Sequence, residues 1–181
     1  MAHLPIWMLG SIPTDVCDAA AREFDELPKQ DANMGVSAEV NDHAQRNTSI
    51  AFAKADHWFG GILFEFGLGA NNQMGWDYAL GGHESVQWAE YGASQHYDWH
   101  IDTFPLVIAP VERKVSVICL MSDPSEFEGG DFQVRLYQDY TAPLQKGTVI
   151  AFPSMLQHRV TPILNGTRRS ATMWITGPRM R

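Results

Sequence analysis

The chain has 181 residues, 45% of them hydrophobic, with a net charge of −8 and only two cysteines. That length suits one domain with a sizeable buried core. An acidic chain with no run of Lys and Arg excludes a broad nucleic-acid footprint, because phosphate binding needs clustered cations.

Met1 to Gly10 lacks the basic start and apolar run of a secretory signal. No window reaches the ~18 to 20 apolar residues of a membrane span. Thr14 to Leu27 reads as an amphipathic helix, with Thr14 as its cap and Val16, Ala20, Phe24 and Leu27 on one stripe. Pro28 ends it. Cys17 and Cys119 show no metal-binding spacing and are expected to be reduced, buried thiols of a cytosolic protein. Lys29 to Asn47 is polar and poorly periodic, which predicts a loop with a short strand. Thr48 to Ala53 is a candidate strand. A second helix is expected after Asp56, where Trp58, Ile62, Phe66 and Ala70 repeat every four residues and Phe59 and Leu63 widen the stripe. Gly60 and Gly61 weaken its propensity.

From Trp76 onward, short segments rich in Val, Ile, Thr and aromatics alternate with Gly, Pro, Asp and Ser clusters. The candidate strands are Ser85 to Tyr91, His96 to Asp102, Lys114 to Met121, Asp131 to Tyr137, Thr148 to Phe152, His158 to Thr161 and Arg169 to Ile175. Strands at this spacing with no helix between them predict an antiparallel sandwich or barrel, with the helices packed outside. Alternation around the last strand puts Arg168, Ser170, Thr172 and Trp174 on one face and Ala171, Met173 and Ile175 on the other. An apolar back and a polar front suit a strand that lines a ligand pocket.

The chemistry concentrates in Tyr91 to Asp102, where two His-x-Asp pairs overlap: His96 with Asp98 and His100 with Asp102. Composition alone gives on the order of 0.8 chance matches, so the pairs need support from elsewhere. On a strand, residues two apart share a face, so such a pair can grip one metal ion. His158, after the apolar Thr148 to Pro153, is the natural third ligand. His3, His43, His57 and His83 stand in contexts that fit solvated or core histidines. Two His and one carboxylate form the facial triad of non-haem Fe(II) oxygenases.

Several stretches together resemble the Fe(II)- and 2-oxoglutarate-dependent oxygenases of the prolyl-hydroxylase type, including the bacterial PKHD-type hydroxylases. They are Tyr91-x5-Tyr97-x2-His100-x-Asp102, Ser122-Asp-Pro with Glu128-Gly-Gly-Asp-Phe132, Lys146-Gly-Thr148, His158-Arg-Val-Thr-Pro162 and Gly166-Thr-Arg168. The resemblance covers about Ser85 to Gly177 and is weaker over the N-terminal helices. It implies a double-stranded β-helix, or jelly-roll, core over 81–181, supported by helices in 1–80 that pack on the major sheet. The family pattern also selects a pair: the aromatic three residues before the ligand and the tyrosine nine before it are Tyr97 and Tyr91, which favours His100 and Asp102. His96 then reads as a residue behind the ligands or at the rim of the site, hydrogen-bonded near the metal. The family's cosubstrate arginine falls on Arg168, with Arg169 as its rival on the opposite face. Ser170, Thr172 and Trp174 become pocket residues, and Tyr91 hydrogen-bonds near the cosubstrate or substrate.

The activity implied is hydroxylation of a substrate C–H bond using Fe(II), 2-oxoglutarate and O2, with release of succinate and CO2 and with ascorbate as a candidate reductant. A prolyl residue in a protein or peptide is the expected substrate, and a free amino acid or small metabolite the alternative. A nucleic-acid demethylase and a non-catalytic metal-binding sandwich fit less well. The acidic surface would suit a basic protein target. The expected location is the cytoplasm, or the host cytoplasm for a phage-encoded protein. Oligomeric state leaves no mark in the sequence.

Overall fold

Alternation of side chains along the strands sets the architecture, because each long strand has to serve two different interiors. The computed structural model describes residues 6–32, 43–103, 110–143 and 145–179. Part of the loop expected over Lys29 to Asn47, and His3, lie outside them. In chain order the early strands are β1 (Met8–Ser11), β2 (Gln30–Asp31), β3 (Arg46–Asn47), β4 (Ser49–Phe52) and β5 (Gly82–His83). They continue as β6 (Gln87–Tyr91), β7 (His96–His100), β8 (Val111–Leu120), β9 (Phe127–Gly129) and β10 (Phe132–Arg135). The last are β11 (Asp139–Thr141), β12 (Thr148–Pro153), β13 (Gln157–Val160), β14 (Ile163–Gly166) and β15 (Arg168–Pro178). Two α-helices, α1 (Thr14–Asp25) and α2 (Trp58–Gln73), and a short 3-10 helix at Pro124–Glu126 complete the set among the described residues.

All pairings are antiparallel. A large sheet runs β1-β12-β8-β15-β6-β4-β2, with β5 also on β15; a smaller one runs β11-β10-β13-β7-β3; β14 and β9 form a ribbon. Each expected strand from Ser85 onward is present. The short β1, β5, β9, β11 and β14 were not expected as strands of their own, since two to four residues carry too little alternation to be read, whereas β2 and β3 fall in the stretch expected to hold a short strand.

On one face of the large sheet, Trp88, Val115, Val117, Cys119, Val149, Ala151, Ala171, Met173 and Ile175 form a core with Cys17, Ala20 and Phe24 of α1 and Phe59, Leu63 and Ala70 of α2. Each fully buried Phe or Leu there contributes roughly 1.5–3 kcal/mol. Both cysteines are free and buried in it. Thr14 does not cap α1: Pro13 holds the N-cap position and no side chain closes the cap. In α2 the buried stripe is Phe59, Leu63, Gly67 and Ala70, one residue on from the expected register, and Trp58 is exposed. The glycines explain the shift. A Cβ on Gly67 would meet Val117 Cγ2 at 2.8 Å and collide with Ile175 Cδ1, so the missing side chain lets the helix lie close to the sheet.

The other face of the large sheet looks toward the smaller one. Ala89, Tyr91, Ile150 and Phe152 meet Phe132, Val134 and Val160 in a second core. Where polar residues replace apolar ones between the two sheets, a cavity opens.

Candidate metal centre

His100 ends β7, and His158 stands directly opposite it on β13. Asp102 lies two residues beyond the end of β7, anchored by its backbone N–H to Ser154 O at 2.9 Å. His100 Nε2 is 3.8 Å from Asp102 Oδ1, and His158 Nε2 is 3.4 Å from Asp102 Oδ2. One ligand atom from each of the three lies within 4.8 Å of the others, and they are the one such group among the described residues.

The tautomers are fixed by the backbone. His100 Nδ1 bonds to Asp98 O at 2.7 Å and His158 Nδ1 to Leu156 O at 2.9 Å. A carbonyl can only accept, so each Nδ1 carries a proton, and Nε2 is the nitrogen that each ring turns toward the centre. Burial, with the neighbouring His158, pushes the His100 imidazole down to about 3 and keeps it neutral. Burial would raise the Asp102 carboxyl, but His158, His100 and a 2.6 Å hydrogen bond from Ser116 Oγ outweigh it and hold the group below its usual value. Trp174 Nε1 approaches the same carboxylate and adds to that shift without reaching hydrogen-bond geometry. Ser116 is tied in turn to Ser154 Oγ at 2.9 Å. A carboxylate and two imidazoles, all oriented by hydrogen bonds, make a donor set suited to a divalent transition metal.

A β-bulge separates the two His-x-Asp pairs. Between His158 and Val160 the partner strand advances two residues while β7 goes from His100 back to Tyr97, one extra. The extra residue resets the alternation, so Tyr97 and His100 both line the cavity. Their rings stack at 3.4 Å. Trp99 turns outward under Arg135 and Arg159, and Asp98 is exposed. His96 does not reach the cavity; its Nε2 lies 3.0 Å from Ala44 O. The premise that His100 and Asp102 share one strand therefore needs correcting, since Asp102 follows the strand rather than belonging to it.

The cavity has a volume of about 330 Å³. Arg168, Ser170, Thr172 and Trp174 of β15 all line it, with Tyr91 on β6 paired to Arg168. Arg168 is 2% exposed. Its Nη1 donates to Ser170 Oγ at 3.3 Å, its Cζ lies 5.7 Å from the Tyr91 ring centre, and its Nε has no partner. No described carboxylate forms an ion pair with it. Arg169 leaves on the opposite face, where Glu90 holds it at 2.9 Å, so it is an ion-paired surface residue rather than a freely solvated one.

Five contributors escaped the sequence reading. Ser116 and Ser154 steer Asp102, while Arg46, Gln87 and Arg113 line the cavity. Ser116 had a readable signal, a hydroxyl on the inward side of a strand whose outward side is Val115 and Val117. Arg46 had none, because β3 is two residues long. Among the described residues, three of the four buried side-chain donors that lack partners, Arg46 Nε, Arg168 Nε and Trp174 Nε1, belong to residues of this one cavity. Buried donors are normally satisfied, so their clustering marks a place built to receive acceptors.

Comparison with known proteins agrees with that chemistry. A family model described as the 2OG-Fe(II) oxygenase superfamily matches residues 86–176, half of the chain. A PKHD-type hydroxylase of Nitrosomonas europaea is 30% identical over 89 residues, which are 46% of this chain and 39% of that protein. The chain thus spans about two fifths of the length of the curated relatives it matches. A prolyl-4-hydroxylase from Pseudomonas putida superposes with a TM-score of 0.72 at 19% identity, covering 96% of this chain and 93% of that one. The viral collagen prolyl hydroxylase of Paramecium Bursaria Chlorella virus-1, in its 2OG complex, superposes at 0.71 with 17% identity, covering 96% and 97%. The two facing sheets are therefore the jelly roll expected from the sequence.

Proposed function

From membership of the 2OG-Fe(II) oxygenase superfamily, to which this chain belongs, we propose that it hydroxylates a prolyl residue in a protein or peptide. Fe(II), 2-oxoglutarate and O2 are the reactants the family implies. The observation that supports the reading is a single cavity holding both a two-histidine, one-carboxylate cluster and a buried arginine without a carboxylate partner.

His100 Nε2, His158 Nε2 and the Asp102 carboxylate would hold the iron. Arg168 would take the far carboxylate of 2-oxoglutarate, since a planar guanidinium with an unpaired Nε can bond a carboxylate through two N–H groups. Ser170 steadies Arg168, and Tyr91 flanks it with its ring. Thr172 and Trp174 continue the same wall, and Trp174 Nε1 is a second donor available there. When bound, the iron with 2-oxoglutarate and dioxygen supplies the oxidation that yields succinate and CO2 and puts a hydroxyl on an unactivated carbon. The protein positions the reactants, keeps the His100 imidazole neutral and excludes bulk water. Ascorbate would serve as the reductant that restores iron after unproductive turnover.

The whole chain acts in this reading as one domain, with 1–80 as support and 81–181 as the core. Among the described residues no helix is long and apolar enough to cross a membrane. A cytoplasmic location fits the free, buried thiols. A net charge of −8 would draw in a basic protein partner from a distance.

The test is direct. Purified protein with Fe(II) and 2-oxoglutarate should release succinate, and peptide arrays or host proteins should gain one oxygen by mass spectrometry. Absence of iron-dependent succinate would sink the reading. Ser116→Ala gives a finer check. Loss of its hydrogen bond to Asp102 should weaken divalent-metal binding about 10- to 100-fold, measured by titration with Mn(II), with little change in the fold.

A further inference from the structure

Arg46 lines the cavity from the side of the smaller sheet, across from Arg168 on the large one. It is 8% exposed, so the side chain is largely removed from water, and its Nε is fully buried. Its Nη2 donates to the neutral amide oxygen of Gln87 at 2.8 Å, its face lies 4.4 Å from the centre of the Tyr97 ring, and its Nε has no partner. No described carboxylate pairs with it. Arg113, the remaining cation of the wall, is different: Nε and Nη2 both bond Glu84 at 2.6 Å, so its charge is already met.

A charge count isolates Arg46. On the reading above, the two charges of Fe(II) and the Arg168 cation balance Asp102 and the two carboxylates of 2-oxoglutarate. Arg46 is then the one guanidinium of the cavity left over, buried, with an N–H still to satisfy. A buried cation without a counter-charge is costly, and an incoming anion removes that cost. Tyr97, which Arg46 covers, stacks directly on His100, so the free N–H lies close to the reacting end of the site.

We propose that Arg46 anchors a carboxylate of the substrate, so the carbon to be hydroxylated lies next to an acidic group. The proposal rests on the iron and 2-oxoglutarate reading and narrows its substrate class. The same carboxylate chemistry is offered by a free amino acid, a C-terminal residue, or an Asp or Glu beside the target residue. The acidic surface does not contradict this, because surface charge acts on the approach of a partner and Arg46 acts only inside the cavity.

The experiment measures binding without turnover. Protein loaded with Mn(II) and 2-oxoglutarate, free of oxygen, is titrated calorimetrically with N-acetyl-L-proline, its neutral amide, L-proline and a peptide carrying Glu-Pro. At least one carboxylate probe should bind about tenfold or more tightly than the amide, and the ranking among the carboxylates identifies the source. Arg46→Met should abolish the preference while 2-oxoglutarate affinity stays within about twofold of wild type. Arg46→Lys, which keeps the charge and loses the fork, should retain the preference at weaker affinity. Equal binding of amide and acid, binding of none of the carboxylate probes, or a preference that survives in Arg46→Met would overturn the assignment. Failure of the underlying reading shows separately, as 2-oxoglutarate that does not bind the metal-loaded wild type.

Discussion

Replacing His100 or His158 with alanine should lower iron-dependent 2-oxoglutarate turnover by at least about a hundredfold, whereas His96→Ala should keep most of it. The two Nε2 atoms approach the Asp102 carboxylate from adjacent strands, and no other described histidine, cysteine or acid stands in that group. Removing one imidazole leaves two ligands and lets water into the gap. His96 sits on the outer side of the bulge, with its ring nitrogens near the Ser94 and Ala44 carbonyls. Its loss costs surface contacts of modest value. Metal titration and succinate release should fall together in the first two variants and in neither assay for the third. Equal loss in His96→Ala would mean that the bulge does not set the register of the site. Folding should separate from function here too, because His100 is buried without a charge and its removal deletes no ion pair on which the sheet depends.

How much of this was legible before the coordinates depended on the length of each element and on regular alternation. The long strands announced themselves. In β15 the sequence Arg168 to Ile175 put Arg168, Ser170, Thr172 and Trp174 on one side and Ala171, Met173 and Ile175 on the other, and the two sets do face the cavity and the helices. Helix α2 was readable in existence but not in rotation. Its apolar residues cover most of the circumference, so the buried face is chosen by Gly67, which only a tertiary neighbour can explain. The choice between the two histidine pairs could not be made from alternation, which gives His96 and His100 the same face. A bulge of one residue in β7 breaks that equivalence, and nothing local announces it. The family spacing of Tyr91 and Tyr97 pointed to the pair that the structure brings beside His158, for a reason the residues alone did not supply. Tyr97 shares the cavity with His100 because both flank the bulge.

Arg46 marks the opposite limit. It lies in a two-residue strand inside a stretch whose composition reads as loop, and net charge describes the surface rather than the interior. A chain of charge −8 encloses a cavity walled by Arg46, Arg113 and Arg168, with Asp102 the one acidic residue among its described lining. The local count, not the global one, decides what can bind there.

Arg168→Met should weaken 2-oxoglutarate binding by about a hundredfold or more while leaving metal affinity within a few-fold. Met fills much of the volume, so the fold loses little packing. What it removes is a guanidinium 2% exposed, bonded at 3.3 Å to one hydroxyl and otherwise facing the cavity. In the absence of cosubstrate that cation is a burden on stability, since burial disfavours its charge. The ligand-free Met variant should therefore melt no lower than wild type, and the two effects separate in a single thermal series. Wild type should gain stability as 2-oxoglutarate rises above its dissociation constant, by roughly 2.7 kcal/mol at a hundredfold excess. Arg168→Met should gain almost nothing at the same concentration. Arg168→Lys should fall between them, because an ammonium keeps the charge but cannot match both carboxylate oxygens. Arg169→Met should behave as wild type in this series. Its ion pair with Glu90 is on the other face, partly exposed, and worth at most about 1 kcal/mol. A cosubstrate-dependent stabilisation that survives in Arg168→Met and is lost in Arg169→Met would reverse the assignment of the two arginines.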